Sequence, residues 1–117
     1  MSRHDDSVSL QHMLDHAREA VAFIQNRFRS DLGADRMLSL ALVRLAEIIG
    51  EAANRVSKPR RKRHPEIPWA EIIGLRNRLV HGYDTIDFDL LWQILTVDLP
   101  ELITKLEKVV PPESTQG

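Results

Sequence analysis

The chain has 117 residues, of which 43% are apolar, a net charge of -1 and no cysteine. That suits one domain with a proper core, expected over residues 1–110, and excludes disulfides, thiolate catalysis and cysteine-based metal sites. The near-neutral charge gives no bulk signal for nucleic acid, so such a partner would need a local basic patch.

The opening stretch MSRHDDSVSL lacks the apolar run of a signal peptide. No later stretch approaches the ~20 apolar residues of a membrane span. The expectation is a soluble, cytoplasmic protein with no membrane partner.

Four apolar-periodic segments follow in chain order, with no convincing period-2 segment. The first runs from about Ser7 to Phe28, with Leu10, Met13, Leu14, Ala17, Val21, Ile24 and Phe28 in one stripe. RSDLG then breaks the pattern with turn residues. The second runs from about Asp35, a plausible N-cap, to Val56. Its stripe is Leu38, Leu42, Leu45, Ile48, Ile49, Ala52 and Val56. Gly50 sits inside this helix, where it costs about 1 kcal/mol relative to alanine. Close approach of a neighbouring helix is the plainest reason for it.

SKPRRKRHPEIP reads as a loop by its prolines and carries Lys58, Arg60, Arg61, Lys62 and Arg63. It is either a solvated surface run or a phosphate-tracking patch. The third segment, IPWAEIIGLRNRLVHG, starts with Pro68 in its first turn and shows Trp69, Ile72, Ile73, Leu79 and Val80 as its apolar face. Gly82 suits the position just past a helix end, so this helix is expected to stop near His81. The fourth segment runs from Asp87, its expected N-cap, to Val109, with Phe88, Leu91, Trp92, Leu95, Leu99, Leu102 and Leu106 as its stripe. Pro100 should kink it or divide it. Residues 111–117 read as a disordered polar tail. The expected fold class is all-α, an up-and-down bundle of four to five helices.

The chemistry concentrates in LRNRLVHGYDTID. On a helix Asn77 and His81 stack, while Arg76 and His81 stand about 140° apart. A long arginine can still reach round, so the two could border one anionic group. A histidine at a helix C-terminus would be favoured as imidazolium by the helix dipole. It can give or take a proton, and an arginine can hold a phosphate. Together they suit general acid–base work on a phosphodiester. RNA supplies its own nucleophile, the 2′-hydroxyl, so no metal and no cofactor is called for. His12 and His16 form an i,i+4 pair, but no HExxH pattern surrounds them. On local spacing alone, a solvated helix end and a working site both stay open. Tyr83 on the same footing is a residue at the rim of the core.

RNRLVHGY, Arg76 to Tyr83, fits the Arg-x4-His-x-Tyr signature of the HepT-like branch of the HEPN superfamily. LAEIIGEAANRVS, HPEIPWAEIIGLRN and DLPEL also resemble that branch, so the likeness covers about Leu10 to Val109. The resemblance implies a HEPN-like helical bundle that dimerises, with Arg–His motifs facing one another across a composite cleft. It implies a metal-independent endoribonuclease acting as the toxin of a toxin–antitoxin pair, with tRNA or mRNA as substrate. It also implies an MntA-like nucleotidyltransferase antitoxin that transfers AMP to the motif tyrosine. Carried over, Arg76 and His81 are the catalytic pair, Asn77 supports them and Tyr83 is the AMP acceptor. Lys58, Arg60, Arg61, Lys62 and Arg63 would widen the electropositive rim. The alternative is a non-catalytic RNA- or nucleotide-binding dimer that docks a nucleotidyltransferase. Arg78 has no role in either reading.

Overall fold

The computed structural model describes residues 5–83 and 85–111. Two long helices form its base. Helix α1 (Asp6–Phe23) starts on Asp5, whose carboxylate accepts from the Ser7 amide at 2.9 Å. Helix α3 (Arg36–Arg55) starts on Asp35, which accepts from the Leu38 amide at 3.1 Å. An acceptor at this position satisfies one of the otherwise unpaired first amides of a helix. The expected N-cap at Asp35 is therefore present.

The two helices pack on each other and run antiparallel. Asp6 at the start of α1 accepts from the Ser57 amide and hydroxyl, at 2.9 and 2.6 Å, just past the end of α3. Leu10, Met13 and Ala17 face Leu42, Ile49 and Ala53 within one core, all at most 1% exposed. Burying a leucine- or methionine-sized side chain contributes about 1.5–3 kcal/mol. Phe28 departs from the expected stripe: α1 has ended by then, and Phe28 is 74% exposed. RSDLG is not a turn but most of a short helix, α2 (Arg29–Ala34). Asp31 explains it, because its side chain accepts from the Phe28 amide at 2.7 Å and closes the first turn.

The basic stretch is likewise a short helix at its start and a loop only over residues 63–68. Ser57 caps α4 (Lys58–Lys62), with Pro59 in the first turn where its missing amide costs nothing. The third segment is broken further. Helix α5 (Trp69–Ile73) and helix α6 (Leu75–Leu79) meet at Gly74. The chain then turns extended, and β1 (Val80–His81) pairs antiparallel with β2 (Thr85–Ile86).

The fourth segment begins at Asp87, which caps α7 (Phe88–Gln93) by accepting from the Leu90 amide at 3.0 Å. A π-helical turn over Ile94–Asp98 leads directly into α8 (Leu99–Val109). Pro100 therefore neither divides the helix nor ends it. The wide turn just before it takes up the missing amide, with Leu99 donating five residues back to Ile94. The Thr96 hydroxyl bonds the Trp92 carbonyl at 2.7 Å and satisfies one group loosened there. Leu91, Ile94, Leu95, Leu99, Leu102 and Leu106 still face the core across the turn.

The described residues thus form an all-α bundle with one small hairpin. No described helix is long and apolar enough to cross a membrane. The expected disordered tail at 111–117 lies, apart from Pro111, outside the described residues.

Candidate functional site

The site segment is held by α3. Gly50 is the contact point: a Cβ there would lie 2.9 Å from the Ile72 carbonyl oxygen and 3.1 Å from that of Ile73. The backbone of α5 therefore lies directly on α3, as the glycine implied. This contact sets the position of α6. Leu75 and Leu79 face the core, while Arg76, Asn77 and Arg78 stay at the surface.

Arg76 and Asn77 line one groove together with Glu47, Gly50, Glu51, Asn54 and Ile73. Arg76 is half-buried there, and among the described residues its guanidinium has no hydrogen bond or ion pair. The structure thus brings Arg76 and Asn77 together against α3. His81 does not line this groove.

His81 is not at a helix end. Helix α6 stops at Leu79, and the left-handed Gly82 (φ +68°) serves the hairpin turn rather than a helix cap. The helical stacking of Asn77 with His81 therefore does not occur. The strand period of two governs instead. Val80 and Ile86 are a register pair, each 8% exposed and turned to the core, so the neighbouring pair His81 and Thr85 turns to solvent. The Asp87 amide donates to the Leu79 carbonyl at 2.9 Å and closes the base of the hairpin. Tyr83, at its tip, is 100% exposed and not at the rim of the core.

The five expected patch cations have different tasks. Arg61 is structural: Nε donates to the Val56 carbonyl at 2.9 Å and Nη2 to the Asn54 carbonyl at 2.9 Å, capping the C-terminal turn of α3. Its own carbonyl accepts from the Trp69 indole at 3.1 Å, which pins α5 beneath it. Arg60 is half-buried, and its Nε donates to His64 Nε2 at 3.3 Å, which requires that ring nitrogen to be unprotonated. Lys58, Lys62 and Arg63 remain exposed. A basic surface at the end of α3 exists, but it is narrower than five cations.

Arg78 lies in a second groove, with Glu71, Asp98, Glu101 and Lys105 around an apolar floor of Ile72, Leu75, Ile94 and Leu99. Burial pushes the Asp98 carboxyl up, Arg78 pulls it back, and Glu101 and Glu71 add to the rise. His12 and His16 stack edge to face with centroids 6.0 Å apart. His16 Nδ1 lies 2.7 Å from the His12 carbonyl oxygen. Among the described residues no group of three His, Cys, Asp or Glu could hold a metal ion. The sequence reading passed over Glu47, Glu51 and Asn54, whose three- and four-residue spacing beside Gly50 marks them as one face of α3.

The family described as Ribonuclease HepT-like matches residues 13–109. The protein named "Putative RNase MJ1380" of Methanocaldococcus jannaschii is 35% identical over 109 residues, covering 93% of this chain and 100% of that protein. "Putative RNase TTE0752" of Caldanaerobacter subterraneus is 31% identical over 104 residues, covering 89% and 93%. "Probable ribonuclease HepT" of Thermococcus cleftensis is 35% identical over 100 residues, covering 82% and 91%. No solved structure gives a significant match. The helical bundle and a family match over most of its length together place the chain in the HepT-like ribonuclease family.

Proposed function

We propose that this chain is a metal-independent endoribonuclease that acts as the toxin of a toxin–antitoxin pair. The observation that carries the reading is the state of three side chains in a member of a ribonuclease family. Arg76 is half-buried without a partner, and His81 and Tyr83 project into solvent on the β1–β2 hairpin. A guanidinium in that state is available to a phosphate, and an exposed imidazole to proton transfer.

The active unit is a homodimer in which two motifs face each other. His81 of one protomer takes the proton from an RNA 2′-hydroxyl. The 2′ oxygen attacks the adjacent phosphorus and the bond to the 5′ oxygen breaks. His81 of the partner subunit returns a proton to that oxygen. The products are a 2′,3′-cyclic phosphate end and a 5′-hydroxyl end. Arg76 opposes the charge that builds on the phosphoryl oxygens, and Asn77 helps to orient the phosphate. Met37 and Leu40 leave apolar surface exposed along α3, which suits an association surface. Lys58, Lys62 and Arg63 attract the RNA backbone.

Tyr83 is the control point. Its full exposure fits a residue that a nucleotidyltransferase antitoxin modifies with AMP. The added phosphate would bring negative charge and bulk two residues from His81, against an incoming RNA phosphate.

Purified protein incubated with RNA in EDTA tests the chemistry. New 2′,3′-cyclic phosphate ends, lost in His81→Ala by a factor of about 100 or more, are expected. Tight binding of intact RNA would instead support a non-catalytic binding dimer. With the cognate nucleotidyltransferase and ATP, the mass should rise by AMP units, and Tyr83→Phe should prevent this.

A further inference from the structure

Arg76 stands in a groove with two carboxylates and pairs with neither. Glu47 and Glu51 line that groove. Both are taken by Arg44, on the exposed side of α3. Its Nη1 reaches Glu47 Oε1 at 2.7 Å and Glu51 Oε1 at 3.4 Å. The positions make this possible, since residues three and seven apart share one helix face. The Glu47 hydrogen bond and charge, with a smaller part from Glu51, raise the pKa of the Arg44 guanidinium.

The alternative pairing has an evident cost. Opposite charges lining one groove attract each other, more strongly near a protein surface than in open water. An Arg76 captured by either glutamate would have to leave it before meeting a phosphate.

We propose that Arg44 is a positioning residue, which holds Glu47 and Glu51 so that Arg76 stays free for a phosphate of the substrate. The identity of that phosphate rests on the ribonuclease reading above, whereas the pairing state of Arg76 belongs to the free protein. Removing Arg44 releases two carboxylates beside Arg76. Substrate binding weakens as they turn to it, and the chemical step is left alone.

A mutant cycle separates this role from direct contact with RNA. Arg44 is mostly exposed, so Arg44→Met should fold. In the native background Arg44→Met should raise KM about two- to fivefold, with kcat unchanged, which is the range of an exposed ion pair. In a Glu47→Gln/Glu51→Gln background the same substitution should leave KM where that background sets it. An equal rise in both backgrounds would mean that Arg44 touches RNA itself, and would overturn the proposal, as would no rise in either. A second measurement needs no substrate. In nitrogen-15 spectra of the free protein, the Arg76 Nε–Hε signal should exchange quickly with water in the native chain and become protected in Arg44→Met. An unchanged signal would overturn the proposal. If the native protein cleaves no RNA, the ribonuclease reading fails while this signal still decides the role of Arg44.

Discussion

Helix α3 and the segment from Pro68 to Ile86 are nearly equal in length and opposite in build. Helix α3 runs 20 residues without a break. The other stretch is cut into two five-residue helices and two two-residue strands. The first supplies core side chains and a flat place at Gly50. The second lies on that place and carries the motif side chains. A continuous helix would have kept Arg76, Asn77 and His81 on one cylinder. The broken segment keeps Arg76 and Asn77 against α3 and sends His81 and Tyr83 away from it.

The sharpest way to break this division is at the contact itself. Gly50→Ala forces a Cβ against two backbone oxygens, which cannot rotate aside. It should cost about 1–3 kcal/mol in denaturant unfolding, and cleavage should fall with it as α6 shifts. At the other end of the segment, Gly82→Ala meets no neighbour, but φ +68° strains any Cβ. A cost of about 1 kcal/mol is expected. The loss of RNA cleavage should exceed what the lost stability explains, because the hairpin presents His81.

Two finer substitutions test the basic surface. Arg61→Ala removes two bonds to the last carbonyls of α3 and should cost about 1 kcal/mol in thermal unfolding. Arg63→Ala removes an exposed cation and should leave stability unchanged, while weakening RNA binding and its salt dependence. Equal destabilisation by both would remove the distinction between a capping arginine and a phosphate-facing one.

The smallest effect concerns Asp98. Its folded carboxyl titrates above the usual range because burial disfavours the charged form. The folded state therefore holds the proton more tightly than the unfolded one, so stability is full at acid pH. It falls as pH rises from the ordinary carboxylate range through the raised one. Asp98→Asn should raise Tm slightly at neutral pH and leave it unchanged in acid. A lowered Tm at neutral pH would mean that Arg78 and Asp98 form a net stabilising pair.

Most of the bundle was legible in the sequence because its signals are local. The caps at Asp35 and Asp87 need only their own first turns. The stripes of α1 and α3 need only a period, and Gly50 announced a close neighbour before the neighbour was known. The misreadings have physical causes. In α2 and α4 a single capping side chain, Asp31 or Ser57, turned apparent loop residues into helix. The motif was misplaced because Leu79 and Val80 are apolar on either period. What decides between helix and strand there is a partner, Ile86, and an amide at Asp87, both beyond the turn. The resemblance marks Arg76 and Tyr83 as site residues. Their physical states, a guanidinium without a partner and a fully exposed phenol, depend on how distant elements pack and leave no local trace in the sequence. The resemblance was silent on Arg44 and Glu47, whose contact is local on one helix.

The hairpin register makes the direction of His81 a matter of parity. Residues 80 and 86 go inward, and 81 and 85 go outward. A helix that gains one residue turns its faces by about 100°, which neighbours can partly absorb. A strand that slips by one residue against its partner exchanges its two sides completely. The imidazole would then face the core and the valine would face water. Substitutions along α1 or α3 can weaken this protein by degrees, whereas a one-residue slip of the hairpin register would switch the orientation of its histidine outright.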